Sequence, residues 1–201
     1  MTIDPEKSAP RDIYRHMVAF ITPRPIAWVS TINLEGQTNL APFSYFNGVC
    51  PNPPTILFCP TNTRDGKKKD TLRNIEATRE FVVNVVADSI REKMNATSAE
   101  IPPEISEFDA CGLTAVPSTK VKSPRVKESL VNLECVLHDI IGIGDGPLSG
   151  NIVIGRIVLI HADDSVLDDS GQIDPAKLDT IGRMGGVTYT RTRERFEMPR
   201  P

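Results

Sequence analysis

The sequence contains no long apolar run. Its longest apolar stretches, at 17–21 and 152–160, fall far short of the roughly 20 residues a helix needs to cross a bilayer, so no membrane association is expected. A basic excess is also missing. The 201 residues carry a formal net charge of -3, which argues against the cationic surface that neutralises nucleic-acid phosphates. Aromatic residues make up only 5%, which weakens any reading as a base-stacking, oligonucleotide-binding barrel. The four cysteines (Cys50, Cys59, Cys111, Cys135) form no CxxC pair, and the three histidines (His16, His138, His161) have no ligand spacing, so no metal site is expected. Three of the cysteines lie in or beside apolar β-like runs and read as small buried residues. The GxxxxGK, HExxH and GxSxG motifs are absent, and the kinase and hydrolase classes they mark lose their support. No histidine stands near Cys50 or Cys59 in sequence, so a cysteine nucleophile has no adjacent base. The segment Met1–Lys7 lacks the apolar core and cleavage pattern of a secretory signal, and the chain reads as cytoplasmic.

What the sequence does have is punctuation. Seventeen prolines and 13 glycines divide a chain that is 39% hydrophobic and 24% charged, pointing to one core of many short elements joined by turns. Met17–Ile21 is the first apolar element after a polar leader, and Pro23-Arg24-Pro25 breaks it into a tight loop. Ile26–Ile32 reads as a strand, Asn33–Gln37 as a turn and Thr38–Phe46 as the returning strand of a hairpin. Thr55–Cys59 follows between prolines. Next comes a helix capped by Asp70 or Thr71, with Leu72, Ile75 and Ala77 at helical spacing. Phe81–Val86 reads as a β-branched strand, and 90–97 as a short helix. Residues 98–129 read as irregular, apart from a short strand at Leu113–Val116. Leu130–Ile141 and Ile152–Ala162 read as longer strands. The Gly142-x-Gly-x-Gly between them has the wrong last spacing for a dinucleotide fingerprint and leads into a strand, so it is a hairpin turn. About seven strands with few intervening helices favour an antiparallel barrel.

The residues left to carry chemistry are small polar side chains and cations at strand ends: Arg24, Ser30, Thr31, Ser44, Asn47, Lys69, Asp70, Thr71 and Arg183. Taken singly, each is ordinary. Together they suit a phosphorylated planar ligand, because cations neutralise a phosphate, hydroxyls and amides donate to its oxygens, and apolar neighbours cover a ring. Residues 61–69 are polar and basic and lead into a helix N-terminus, which is a ready anion site.

Three segments appear in a fixed order: Pro23-Arg24-Pro25-Ile26-Ala27-Trp28-Val29-Ser30-Thr31, Asn39-Leu40-Ala41-Pro42-Phe43-Ser44-Tyr45-Phe46-Asn47 and Lys69-Asp70-Thr71-Leu72-Arg73-Asn74-Ile75. With Phe81-Val82-Val83-Asn84 after them, they resemble the flavin reductase-like family. The resemblance implies a mainly β, Greek-key FMN-binding split β-barrel with a few flanking helices. It would form a single domain over 1–201 with its core at about 12–190. It implies a homodimer with FMN at the interface and NADH or NADPH as hydride donor, passing electrons to a small-molecule acceptor or a partner monooxygenase. Carried over by position, Arg24, Trp28, Ser30 and Thr31 line one side of the flavin. Ser44, Tyr45, Phe46 and Asn47 contact the ring, Lys69, Asp70 and Thr71 meet the phosphate, and Arg183 and Tyr189 lie near the flavin. An FMN-dependent oxidase or oxygenase component, and a non-catalytic FMN-binding electron carrier, share the same fold and cofactor and remain as alternatives.

Overall fold

The computed structural model describes residues 1–102 and 104–200; Pro103, in the expected irregular stretch, lies outside the described residues. The chain runs α1 (Pro10–Phe20), β1 (Ala27–Ile32), β2 (Thr38–Phe43), β3 (Phe46–Pro51), β4 (Pro54–Phe58), α2 (Asp70–Thr78), β5 (Glu80–Val85) and α3 (Arg91–Ala96). It continues with α4 (Glu107–Ala110), β6 (Ala115–Val116), β7 (Arg125–Val126), β8 (Val131–Ile143), β9 (Gly150–Ala162), α5 (Pro175–Leu178), β10 (Ile181–Arg183) and β11 (Tyr189–Arg191). Seven strands form one antiparallel sheet in the order β2-β1-β5-β8-β9-β4-β3, and β6-β7 and β10-β11 make two small ribbons.

Alternation along β1 builds two cores from one strand, because successive side chains point to opposite faces. Ala27 and Val29 face the barrel interior with Phe43, Phe58, Phe81, Val83, Cys135 and Val153, and Leu72 and Ile75 of α2 plug its end. Trp28 faces outward into a second cluster with Leu40, Val86, Met94, Phe108, Val126 and Ile181. Both faces of β1 are therefore buried, which explains its nearly unbroken apolar sequence. The interior closes by edge contacts: the Phe58 ring sits 5.2 Å from Phe43 and 5.4 Å from Phe81. Gly155 of β9 makes room for this stack, since a Cβ there would lie 2.3 Å from Phe81 Cζ.

Several sequence expectations change, among them residues 98–129, expected to be irregular apart from a strand at Leu113–Val116, which contain α4, β7 and a strand shortened to Ala115–Val116. Met17–Ile21 is the end of helix α1, which begins at Pro10 inside the supposed polar leader; proline suits the first helical turn because its missing N–H would be unpaired there anyway. The expected strand 38–46 is two strands, broken at Ser44 and Tyr45. Helix α2 is capped by Lys69, without a side-chain hydrogen bond, rather than by Asp70 or Thr71. The β8–β9 hairpin extends through Ile143 and from Gly150, so Gly142 belongs to the ladder rather than the turn. Of the cysteines expected inside, Cys135 is buried, Cys59 and Cys111 are half-buried and Cys50 is exposed. No described helix is long and apolar enough to cross a membrane, and no cluster of metal-ligating side chains occurs among the described residues.

Candidate functional site

The break between β2 and β3 turns the chain outward where α2 begins. Ser44, Tyr45 and Phe46 are half-buried there and Asn47 is exposed. The Cys59 amide donates to Tyr45 O at 2.8 Å, which fixes the turn against the end of β4. Lys69 stands beside it, its ammonium 5.7 Å from the Phe43 ring centre. Burial of that ammonium pushes its pKa down, with the charge of Glu100 opposing the shift, although much of the side-chain surface stays open. The first amides of a helix have no intrahelical acceptor, and α2 has no side-chain cap. Its N-terminus therefore presents free donors and a positive dipole end next to a lysine, the arrangement that attracts an anion.

Arg24 joins this turn to the C-terminal segment. Buried at 4% exposure, it donates from Nη1 to Val18 O at 3.0 Å and Ile21 O at 2.7 Å, and from Nη2 to Met184 O at 3.0 Å. Its Nε reaches Ser44 Oγ at 3.4 Å, and the guanidinium lies 5.9 Å from the Tyr45 ring centre. Backbone bonds tie Arg24 to Arg183 in both directions, at 2.9 and 2.8 Å. Arg183 in turn lies 4.4 Å from the Tyr189 ring centre and donates to its hydroxyl. Ser44, Tyr45, Arg24, Arg183 and Tyr189 thus form one chain of contacts, and Lys69 stands over Phe43, the residue before Ser44. Within these contacts, Arg24 is a clasp that already uses its Nε donor, both Nη1 donors and one Nη2 donor. Burial, followed by the neighbouring Tyr14, pushes the Tyr45 phenol pKa up, so this hydroxyl stays protonated and able to donate at neutral pH. Burial also raises the Cys59 thiol, the opposite of what an activated thiolate needs.

The other expected residues are placed differently. Trp28 is fully buried in the outer cluster and donates to Thr97 Oγ1 at 2.9 Å. Ser30, on the same outward face, donates to Pro124 O at 2.5 Å and accepts from Asn84 Nδ2 at 3.1 Å. Neither is brought to the turn. Thr31 accepts from Asn74 Nδ2 at 3.0 Å and Thr71 from Asn39 Nδ2 at 2.9 Å. These two bonds lock α2 onto β1 and β2 and set the position of Lys69. Asp70 pairs with Arg73 one helical turn on. Sequence reasoning quoted Asn39 and Asn74 only as parts of motifs, and it missed Tyr14, whose helix was not recognised. Tyr189 also lines a concavity of about 390 Å³ with Asp88, Arg91, Met94, Asn95 and Arg191, in which none of Ser44–Asn47 takes part.

An antiparallel barrel, open at one side, with a lysine-flanked helix N-terminus beside an aromatic turn, defines a class, the split-barrel proteins. Residues 19–179 match the model of the flavin reductase like domain, and the chain belongs to the flavin reductase-like family. Nitrilotriacetate monooxygenase component B from Bacillus cereus superimposes with a TM-score of 0.93 at 36% identity, over 98% of both chains. The 2-nitrobenzoate 2-nitroreductase NbaA from Pseudomonas fluorescens gives 0.88 at 31% identity, covering 100% of this chain and 96% of that one. A protein from Shewanella frigidimarina assigned as a flavin reductase with a split barrel domain gives 0.85 at 26% identity over 100% of both. The expected family and split-barrel fold are confirmed, and with them the coarse reading of a flavin-handling oxidoreductase.

Proposed function

We propose that residues 1–201 form one domain that binds FMN and reduces it with NADH or NADPH. The observation that carries this reading is the uncapped N-terminus of α2 with Lys69 beside it, continuous with the donor-rich turn at Ser44–Asn47. The donor set fits the group: a cation and free helix amides for a phosphate, then hydroxyl, amide and aromatic side chains for a flat polar ring. Lys69 and the amides of Asp70 and Thr71 hold the phosphate. Ser44, Tyr45, Phe46 and Asn47 orient the ring, while Arg24 fixes the turn from behind. Trp28, Ser30 and Thr31 act through the fold. When bound, the flavin supplies the hydride-accepting chemistry, so the protein's own tasks are orientation and exclusion of water, and no proton-transferring triad is needed.

The same reading includes a homodimer with the flavin at its interface. Tyr14, Met17, Phe20 and Ile21 expose an apolar face on and just beyond α1; single exposed apolar residues are ordinary, but grouped ones mark interfaces. Component B of a monooxygenase among the similar structures supports transfer of the reducing equivalents to a small acceptor or a partner monooxygenase.

The test is an anaerobic absorbance titration of the purified protein with FMN, followed by NADH and then NADPH. Rapid bleaching of the bound flavin by either donor is the expected result and identifies the donor. Flavin that binds without bleaching removes the reductase step and leaves a carrier, or an oxidase with another substrate. Light scattering checks the dimer: a monomeric mass with flavin bound overturns it.

A further inference from the structure

A second concavity, of about 540 Å³, opens on the outer side of the sheet and shares no residue with the Ser44–Lys69 surface. Its lining includes Arg125 of β7, Lys127, Leu130, Asn132 of β8, and Ile160 and His161 of β9. Three features set its chemistry.

The first is uncompensated charge. Arg125 donates from Nε and Nη2 to Pro117 O at 3.3 and 3.1 Å, and from Nη1 to Asn132 Oδ1 at 3.5 Å. These acceptors are neutral, so they fix the guanidinium without cancelling its charge. Lys120, Lys122 and Lys127 flank it in sequence. None of the four cations forms an ion pair among the described residues. Glu80 and Glu134 accept from the Lys122 and Lys120 amides and offset part of that charge, but in the lining itself Arg125 and Lys127 outnumber the single carboxylate of Asp163, and clefts focus such an excess toward anions. The rim acid Asp163 keeps its charge and is held at the edge by capping the turn after β9, where it accepts from Ser165 N at 2.9 Å.

The second is a rigid wall. Glu134 is fully buried, and its carboxylate accepts from Thr119 N at 2.7 Å, Lys120 N at 2.5 Å and His161 Nε2 at 2.6 Å. One carboxylate thus pins both the imidazole and the basic turn to the sheet, leaving His161 Nδ1 without a hydrogen bond among the described residues. The third is an apolar flank, in which Ile160 is 58% exposed beside Leu130 and Val116.

We propose that this concavity binds a small organic anion, its carboxylate or phosphate group meeting Arg125 and Lys127 and its apolar part resting on Ile160 and Leu130. The volume suits such a ligand, since small-molecule sites span roughly 300–1,000 Å³. A guanidinium already held in place, as Arg125 is, binds an oxyanion more strongly than a free surface cation because its charge is fixed before the ligand arrives.

The test is NMR titration of the full chain, reading the His161 ring resonances and the backbone amides, with benzoate and inorganic phosphate in separate arms and sodium chloride as control. The expected result is a saturable His161 shift with at least one oxyanion, its dissociation constant weakened about tenfold in Lys127→Ala and in Arg125→Gln. Lys127 is exposed, so its variant keeps the test open should Arg125→Gln fail to fold. Saturation by benzoate alone identifies an organic carboxylate as the ligand class, and saturation by phosphate identifies a phosphorylated one. A response equalled by chloride, unchanged in Lys127→Ala, or absent with both oxyanions overturns the proposal. Flavin binding is not part of the readout, so the outcome is independent of the FMN assignment.

Discussion

The polar motif residues of this chain divide into two regions with opposite fates. Along β1 and its neighbours, Arg24, Ser30, Thr31 and Asn84 are buried at 0–4% exposure, and each spends its hydrogen bonds on the protein. At the β2–β3 break and the start of α2, Ser44, Tyr45, Asn47 and Lys69 stay partly or fully open and keep donors that the protein does not use. The difference follows from position in the element. Inside a ladder covered on both faces, a polar side chain must find a partner or cost roughly 1–3 kcal/mol. At a strand end or a helix start it borders solvent and can wait for one. A sequence motif therefore mixes residues that shape a site with residues that touch its ligand.

Four experiments bear on that division. Trp28→Ala empties the outer core and should cost about 3–5 kcal/mol in urea unfolding; a loss below about 1 kcal/mol would place Trp28 outside the load of the fold. Arg24→Met strands the carbonyls of Val18, Ile21 and Met184, and a loss of about 1–3 kcal/mol is expected, together with weaker flavin binding through displacement of Ser44. Unchanged stability with lost binding would move Arg24 to the ligand-contacting group. Lys69→Ala should show the reverse pattern. FMN binding weakens by about 1–3 kcal/mol, read by fluorescence titration, while the unfolding free energy stays within about 0.5 kcal/mol. An unchanged dissociation constant would send the phosphate elsewhere.

The smallest effect is on pH dependence, and it separates two carboxylates, buried Glu134 and half-buried Glu107. For Glu134, burial raises the carboxyl's pKa, but bonds from the Thr119 amide, His161 and the Lys120 amide outweigh it and leave it below the ordinary value. Its stabilisation is thus present above the unfolded pKa of about 4.3 and disappears as pH falls through the folded value. For Glu107, burial wins over the bond from Leu40 N and raises the pKa. Its contribution is full below about 4.3 and fades as pH rises through the folded value. Urea midpoints measured from acid to neutral pH should show a shallower acid loss in Glu134→Gln than in the parent; parallel curves would mean that Glu134 titrates alike in both states.

Much of the β framework was legible because period-2 alternation and proline or glycine breaks are local. Ile26–Ile32 and Phe81–Val86 were expected within one residue of β1 and β5, and the short helix at 90–97 appears as a 3₁₀ turn followed by α3. Helix α1 was not legible. Its apolar residues Ile13, Tyr14, Met17 and Phe20 are mostly exposed in the isolated chain, and its early prolines and charges read as a leader. At the candidate site, residue types and order singled out Ser44 and Ser30 alike and could not tell the half-open hydroxyl from the buried one. That distinction requires knowing which face of β1 the outer layer covers.

The sequence alone determined the class of molecule: a many-stranded barrel without metal, triad or phosphate-loop signatures, carrying ordered motifs like those of the flavin reductase-like family. Local spacing encodes strands, turns and a helix start, and these are short-range properties. Only the tertiary structure decided which polar side chains remain free, that Arg24 joins the end of α1 to Met184, 160 residues on, and that Arg125, Lys127 and His161 line one concavity. Those facts depend on pairings between residues far apart in the chain, which no local pattern records.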